Sequence, residues 1–155
     1  MHISDLLIPE RIRFGVRARS RKRVLEVAAR QLHQGEEDLD ERIIYSGLCG
    51  RERIGSTALG HGVALPHCRL SGLPAAAGTL ITLADPVDFD APDGGPIDLV
   101  FALMVPDNHE NEHLKLLAML AETFRIEANR AALRGADSPF EVLDLLESWE
   151  TRHVA

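Results

Sequence analysis

Aromatic side chains are scarce in this sequence: one Trp, one Tyr and five Phe amount to 5% of 155 residues. Leu, Val, Ile and Ala must therefore build the core. Cysteine is scarcer still, with Cys49 and Cys68 set at no C-x-x-C spacing. Two such cysteines make no disulfide framework in a chain long enough to bury its own core, and they read as reduced cytosolic thiols. No apolar run approaches the roughly 20 residues that span a bilayer, and the N-terminal "MHISDLLIPERIRF" lacks the apolar stretch of a signal peptide. The expectation is a cytoplasmic chain that is neither exported nor membrane-inserted. Positive charge is also in deficit, the formal net charge being -7, so the composition gives no general reason to expect nucleic-acid binding. The local exception, Arg17, Arg19, Arg21, Lys22 and Arg23, reads as the solvated start of a helix, with a phosphate-backbone patch as the rival reading.

A chain of this length fits one domain, spanning residues 1–155. Ser20 can cap a helix whose Val24, Leu25, Val27, Ala28 and Leu32 share one face and which ends at Gly35. A second helix is expected from about Asp38, burying Leu39, Ile43, Ile44 and Leu48 and loosening at Gly47 and Gly50. "GSTALGHGVALPH" reads as a glycine-rich loop feeding a short strand that Pro66 stops. "AAAGTLITLADPVDF" and "PIDLVFALMVP" are apolar and β-rich, joined by the turn residues "DAPDGGP", and read as inner strands of a covered sheet. After Pro106 the period becomes helical, with Leu114, Leu117, Ala118, Leu120, Ala121 and Phe124 on one face. "SPFE" predicts a capping box, Ser138 as N-cap and Glu141 at the third helical position, opening a last helix. Helices before and after a sheet core argue for an α/β fold, a single layered domain with a mixed sheet flanked by helices.

"HENEH", residues 109–113, matches the H-E-x-x-H pattern of zinc proteases letter for letter. A zinc protease needs both histidines on a formed helix, a third ligand and an open position for water. Asp107 or Asn108 is the expected N-cap, which puts His109 in a frayed first turn, and no third ligand follows at the required spacing. His109 therefore reads as a solvated residue and the metalloprotease as a remote alternative. His113 lies deeper, beside the apolar stripe, where free N–H groups and the positive end of the helix favour an anion over a cation.

The stretch "GRERIGSTALGHGVALPHCRL" presents His67 next to a glycine-rich loop. An imidazole with an ordinary pKa near 6.5 is largely neutral at pH 7 and carries a lone pair competent to attack phosphorus. Its phosphorylated form would need donors, for which Arg51, Ser56, Thr57, loop N–H groups and His113 are available. Residue types and spacing by themselves support an anion site and no more.

The stretch "RERIGSTALGHGVALPH" resembles the signature of the enzyme IIA domains of the bacterial phosphoenolpyruvate-dependent phosphotransferase system, in their fructose/mannitol and nitrogen-related class. Arg51, Glu52, Ser56, Thr57, Gly60, Gly62, Ala64, Pro66 and His67 fill its fixed positions, and "VPDNHENEHLKLL" matches a second landmark at His113, Leu114 and Leu117. The resemblance implies that His67 accepts a phosphoryl group through Nε2, that His113 and Arg51 stabilise it, and that Thr57 is a possible hydroxyl donor. It implies neither cofactor nor metal, and a phosphocarrier, HPr or its nitrogen-branch relative, as donor. Downstream it leaves two readings, a regulator acting on a partner protein or a sugar-transport component passing phosphate to a IIB domain. The absence of a fused IIB, carrier or membrane segment favours the regulator. Cys68 stands where the family more often has a small residue.

Overall fold

The computed structural model describes residues 2–154, with side chains described through residue 150. Two 3₁₀ turns, Ile3–Leu6 and Pro9–Arg11, lead into β1, Ile12–Val16. Helices α1, Arg21–His33, and α2, Glu41–Ile54, precede the short strands β2, Ala58–Gly60, β3, Val63–Ala64, and β4, His67–Leu70. The long strands β5, Ala77–Val87, and β6, Ile97–Pro106, form a hairpin, and α3, Glu110–Arg125, α4, Glu127–Arg134, and α5, Pro139–Val154, complete the chain.

The mixed sheet runs β1-β5-β6-β3-β2, with β4 also on β6. β5 and β6 pair antiparallel, while β3 and β4 both run parallel to β6. The period of two along β6 divides the interior. Val100, Ala102 and Met104 join the core beneath α1 and α2, whereas Leu99, Phe101, Leu103 and Val105 join the core beneath α3, α4 and α5. Helices thus cover both faces, as the uninterrupted apolar runs of the two long strands require. Among the described residues, no helix is long and apolar enough to cross a membrane.

Local signals behave largely as their chemistry dictates. The Ser20 side chain accepts the Arg23 N–H at the start of α1. Ser138 Oγ accepts the Glu141 N–H, and the Glu141 carboxylate reaches back to the Asp137 N–H, one residue earlier than a strict capping box. Arg11, buried, donates to the carbonyls of Leu6, Gln34 and Gly78 and so ties the N-terminal turn, the end of α1 and β5 together.

Several expectations need correction. α2 starts later than Asp38, with Asp40 as its N-cap; Ile44 and Leu48, four apart, enter the core, and Ile43, a hundred degrees round the helix, is exposed. Gly47 and Gly50, expected to loosen the end of α2, lie inside a helix that runs on to Ile54. In α3 the buried row is Leu116, Leu120 and Phe124, so Leu114 falls on the opposite side and is 67% exposed. That helix also begins one or two residues late, with His109 at its N-cap.

The glycine-rich segment is a tight hairpin as well as a loop. His61 and Gly62, both with positive φ, turn β2 into β3, and a Cβ on Gly62 would stand 2.5 Å from Arg134 Nη2 and 2.9 Å from Asp98 Oδ1. Pro66 does not end the strand line. Val63 and Ala64 face Leu99 and Val100, His67 faces Leu103 without a slip of register, and the Pro66 carbonyl accepts the Leu103 N–H.

Candidate functional site

His67 opens β4, and strand alternation sends Cys68 and Leu70 into the core while His67 and Arg69 share the other face. His67 Nδ1 lies 2.8 Å from the Leu65 carbonyl oxygen. A carbonyl only accepts, so Nδ1 carries the proton and Nε2 keeps its lone pair. Burial holds the pKa of His67 below the ordinary value and the Arg51 charge pushes the same way, against the opposing pull of the Leu65 carbonyl and Glu52. The ring is neutral at pH 7, as a nucleophile must be.

His113 projects from the first turn of α3 and meets His67 edge to face. Its pKa is also held down, by burial first and then by His67, Arg69 and Arg51. Its Nε2 is buried and, among the described residues, has no hydrogen-bond partner. A buried polar nitrogen without a partner, beside a second imidazole, is a donor or acceptor in reserve.

Arg51 lies in the last turn of α2 and donates from Nη1 to the Gly55 carbonyl at 2.9 Å. Together with His67, His113, Arg69, Glu110 and the apolar Ile54, Leu114 and Leu117, it lines an open concavity of about 620 Å³. Its approach to β4 depends on Gly47, one turn earlier, where a Cβ would come within 3.1 Å of Cys68 Sγ and 3.2 Å of Leu70 Cδ2. Cys68 itself is buried, which pushes its thiol pKa up to about 12.

The structure brings His67, His113 and Arg51 together and places Thr57 elsewhere. The Thr57 hydroxyl donates to Glu52 Oε2 at 2.6 Å, its N–H reaches Glu52 Oε1, and Thr57 does not line the concavity. Glu52 is buried and pairs also with Arg21. Ser56 donates to the Phe89 carbonyl, and the hairpin turn is held by Asp93, which accepts the His61 N–H, and by Arg134, which donates to the His61 carbonyl. These polar groups fix the loop and do not face the two histidines. Arg69 is the cavity residue that sequence reading passed over. The signal was present in "HCRL", where strand alternation alone puts Arg69 on the face of His67.

The zinc pattern dissolves on geometry. His109 is the N-cap of α3, its ring pairs with Glu112 at 3.3 Å, and His113 faces His67. Among the described residues, no group of three His, Cys, Asp or Glu side chains is placed to hold a metal ion.

Residues 5–149 match the family described as "Phosphoenolpyruvate-dependent sugar phosphotransferase system, EIIA 2". A nitrogen regulatory protein of Pseudomonas aeruginosa is 40% identical over 136 residues, covering 88% of each chain. The crystal structure of nitrogen regulatory protein IIA-Ntr from Neisseria meningitidis superposes with a TM-score of 0.88 at 40% identity, covering 93% of this chain and 98% of the other. A IIA mannitol enzyme from Escherichia coli, solved in complex with its phosphorylated IIB enzyme, shares the fold at a TM-score of 0.74 and 21% identity, over 92% of this chain and 97% of that one.

Proposed function

Since the chain belongs to the phosphoenolpyruvate-dependent sugar phosphotransferase system EIIA 2 family, we propose that it accepts a phosphoryl group on His67 Nε2 from the phosphohistidine of a small carrier, HPr or its nitrogen-branch relative. The observation that carries this reading is the 2.8 Å contact of His67 Nδ1 with the Leu65 carbonyl, which leaves Nε2 unprotonated beside His113 and Arg51.

Transfer is a displacement in line. The Nε2 lone pair forms the new N–P bond as the donor imidazole's N–P bond breaks, and the bonding pair returns to the donor ring. The proton stays on Nδ1, which donates it to the Leu65 carbonyl as a hydrogen bond, so no general base is required. Arg51 and His113 meet the negative charge that arrives, and positioning with charge stabilisation supplies the rate. Ile54, 83% exposed, and Leu114 give the rim of the concavity an apolar character suited to a docking carrier.

Incubation with phosphoenolpyruvate, enzyme I and the carrier tests the proposal. Acid-labile, base-stable label on the chain, lost in His67→Ala, is the expected result, and label that survives the substitution refutes it.

The downstream role is regulatory in this reading. Similarity at 40% identity runs along most of the chain to nitrogen regulatory proteins, against 21% to the mannitol enzyme. His67 would change the chain's partners according to whether it carries phosphate. The second reading, a sugar-transport IIA that hands its phosphate to a IIB domain, is favoured by the fold shared with the IIA solved against phosphorylated IIB. Neighbouring genes for a IIB/IIC permease would favour transport, and neighbours for a nitrogen sigma factor or carrier would favour regulation.

A further inference from the structure

The cavity wall holds an ion pair that the transfer chemistry above leaves unused. Arg69 Nη1 lies 3.0 Å from Glu110 Oε1, and the side chains are 46% and 75% exposed. Arg69 stands two residues after His67 on the same face of β4, about 7 Å along the strand. Glu110 is the first residue of α3, one turn before His113. With both histidines neutral, the charges around the cavity are Arg51, Arg69 and Glu110. Arg51 already spends one N–H on the Gly55 carbonyl.

A phosphoryl group on Nε2 adds up to two negative charges and three acceptor oxygens to this small space. An exposed ion pair contributes little to stability, so it is easily exchanged for a better one. A phosphoryl dianion offers a guanidinium more charge than a carboxylate does and accepts its planar fork through two oxygens. We propose that Arg69 is a second guanidinium for the phosphoryl group on His67, held on Glu110 until that group arrives, so that phosphorylation leaves Glu110 as an unpaired carboxylate at the start of α3. The inference rests on His67 being the acceptor. Phosphorylation then alters two neighbouring surface charges, the phosphoryl group itself and the freed Glu110. A partner that bears on the start of α3 can distinguish the two forms there.

The test uses the full chain and phosphoramidate, which removes the protein donor and any docking effect from the comparison. The His67 Nε2 lone pair attacks phosphorus, the P–N bond of phosphoramidate breaks, and ammonia leaves with the bonding pair. Phosphorus NMR follows the growth of the phosphohistidine signal that His67→Ala lacks, and titration of that signal gives the pKa of the phosphoryl group. Arg69→Gln is expected to slow phosphorylation about tenfold, less than the roughly hundredfold or greater loss for a buried transition-state donor because the residue is exposed, and to raise the phosphoryl pKa. Glu110→Gln is expected to lower that pKa, and the double variant to behave as Arg69→Gln. An Arg69→Gln chain with the rate and phosphoryl pKa of the unsubstituted protein overturns the proposal. So does a double variant restored to both values, because the pair would then do no more than neutralise itself. Failure of the acceptor reading looks different: carrier-dependent label that persists in His67→Ala. Thermal melts of the three variants exclude misfolding as the cause.

Discussion

The imidazoles of His67 and His113 meet edge to face, their centroids 5.3 Å apart and their planes inclined at 71°. Two rings at this distance from separate elements, a strand and a helix, cannot both take up protons cheaply. Burial holds both rings below the ordinary value, and the nearness of His67 lowers His113 further, so the pair is neutral as the proposed transfer requires.

Phosphoryl acceptance should therefore persist to lower pH than an ordinary histidine allows. Burial holds the His67 pKa below the ordinary value near 6.5, so the fraction with a free Nε2 lone pair stays high as pH falls through that point. The rate of phosphorylation by phosphoramidate, plotted against pH, should lose half its maximum only below 6.5. A midpoint at or above 6.5 would contradict the local electrostatics.

The same shift has a cost in stability, with a definite sign. Below about pH 6.5 the unfolded chain binds protons at these rings that the folded chain refuses, so stability present above that pH is lost as pH falls toward the folded values. In denaturant titrations at successive pH values, His67→Ala should flatten this dependence, because His67 is then absent from both states.

His113→Ala should slow transfer roughly a hundredfold, the loss expected for a donor that meets charge developing in the transition state. The capacity to accept remains, since His67 keeps its contact with Leu65. Rapid-quench measurement of transfer from the phosphorylated carrier separates a slower approach to full label from a lower plateau.

Two glycines of α2 should respond in opposite directions. Gly47→Val drives side-chain atoms into Cys68 and Leu70 and should cost roughly 1–3 kcal/mol, while prising Arg51 from the cavity and slowing transfer. Gly50 has nothing within 4 Å of a Cβ, so Gly50→Ala should stabilise by up to about 1 kcal/mol through helix propensity. Urea midpoints of the two variants give both signs at once.

Thr57→Val should cost roughly 1.5–3 kcal/mol, the scale of a hydrogen bond to a charged group, because it removes a donor from the buried Glu52 carboxylate. Transfer by the folded variant should change less than tenfold. A transfer defect larger than the stability defect would bring the hydroxyl back into the reaction.

Much of this architecture is legible in the sequence wherever one local rule suffices. Ser20 and Ser138 cap as their chemistry requires, and the β5–β6 hairpin follows from two apolar runs around a turn. The approach of His67, Arg51 and His113 is not readable from periodicity, because it depends on three elements being brought together by tertiary packing. The signature resemblance supplied that grouping. It also suggested a role for Thr57 that its buried partner Glu52 already occupies. Leu114 failed for a geometric reason: two residues before Leu116 it stands about 200° round the helix from the buried row, and the leucine read as core faces the cavity. Arg69 was missed for a different cause: its meaning comes from a carboxylate on another element.

The passage of the chain through Pro66 without loss of register has a consequence for signalling. β3, Pro66 and β4 act as one rail bolted to β6, a long and almost wholly buried strand of the sheet. A rail of this kind resists sliding, so the phosphorylation proposed for His67 should leave the backbone beneath it unchanged. Under the proposed regulatory role, the message to a partner is then written in charge on a rigid surface, and ionic strength becomes a dial on how loudly it is heard.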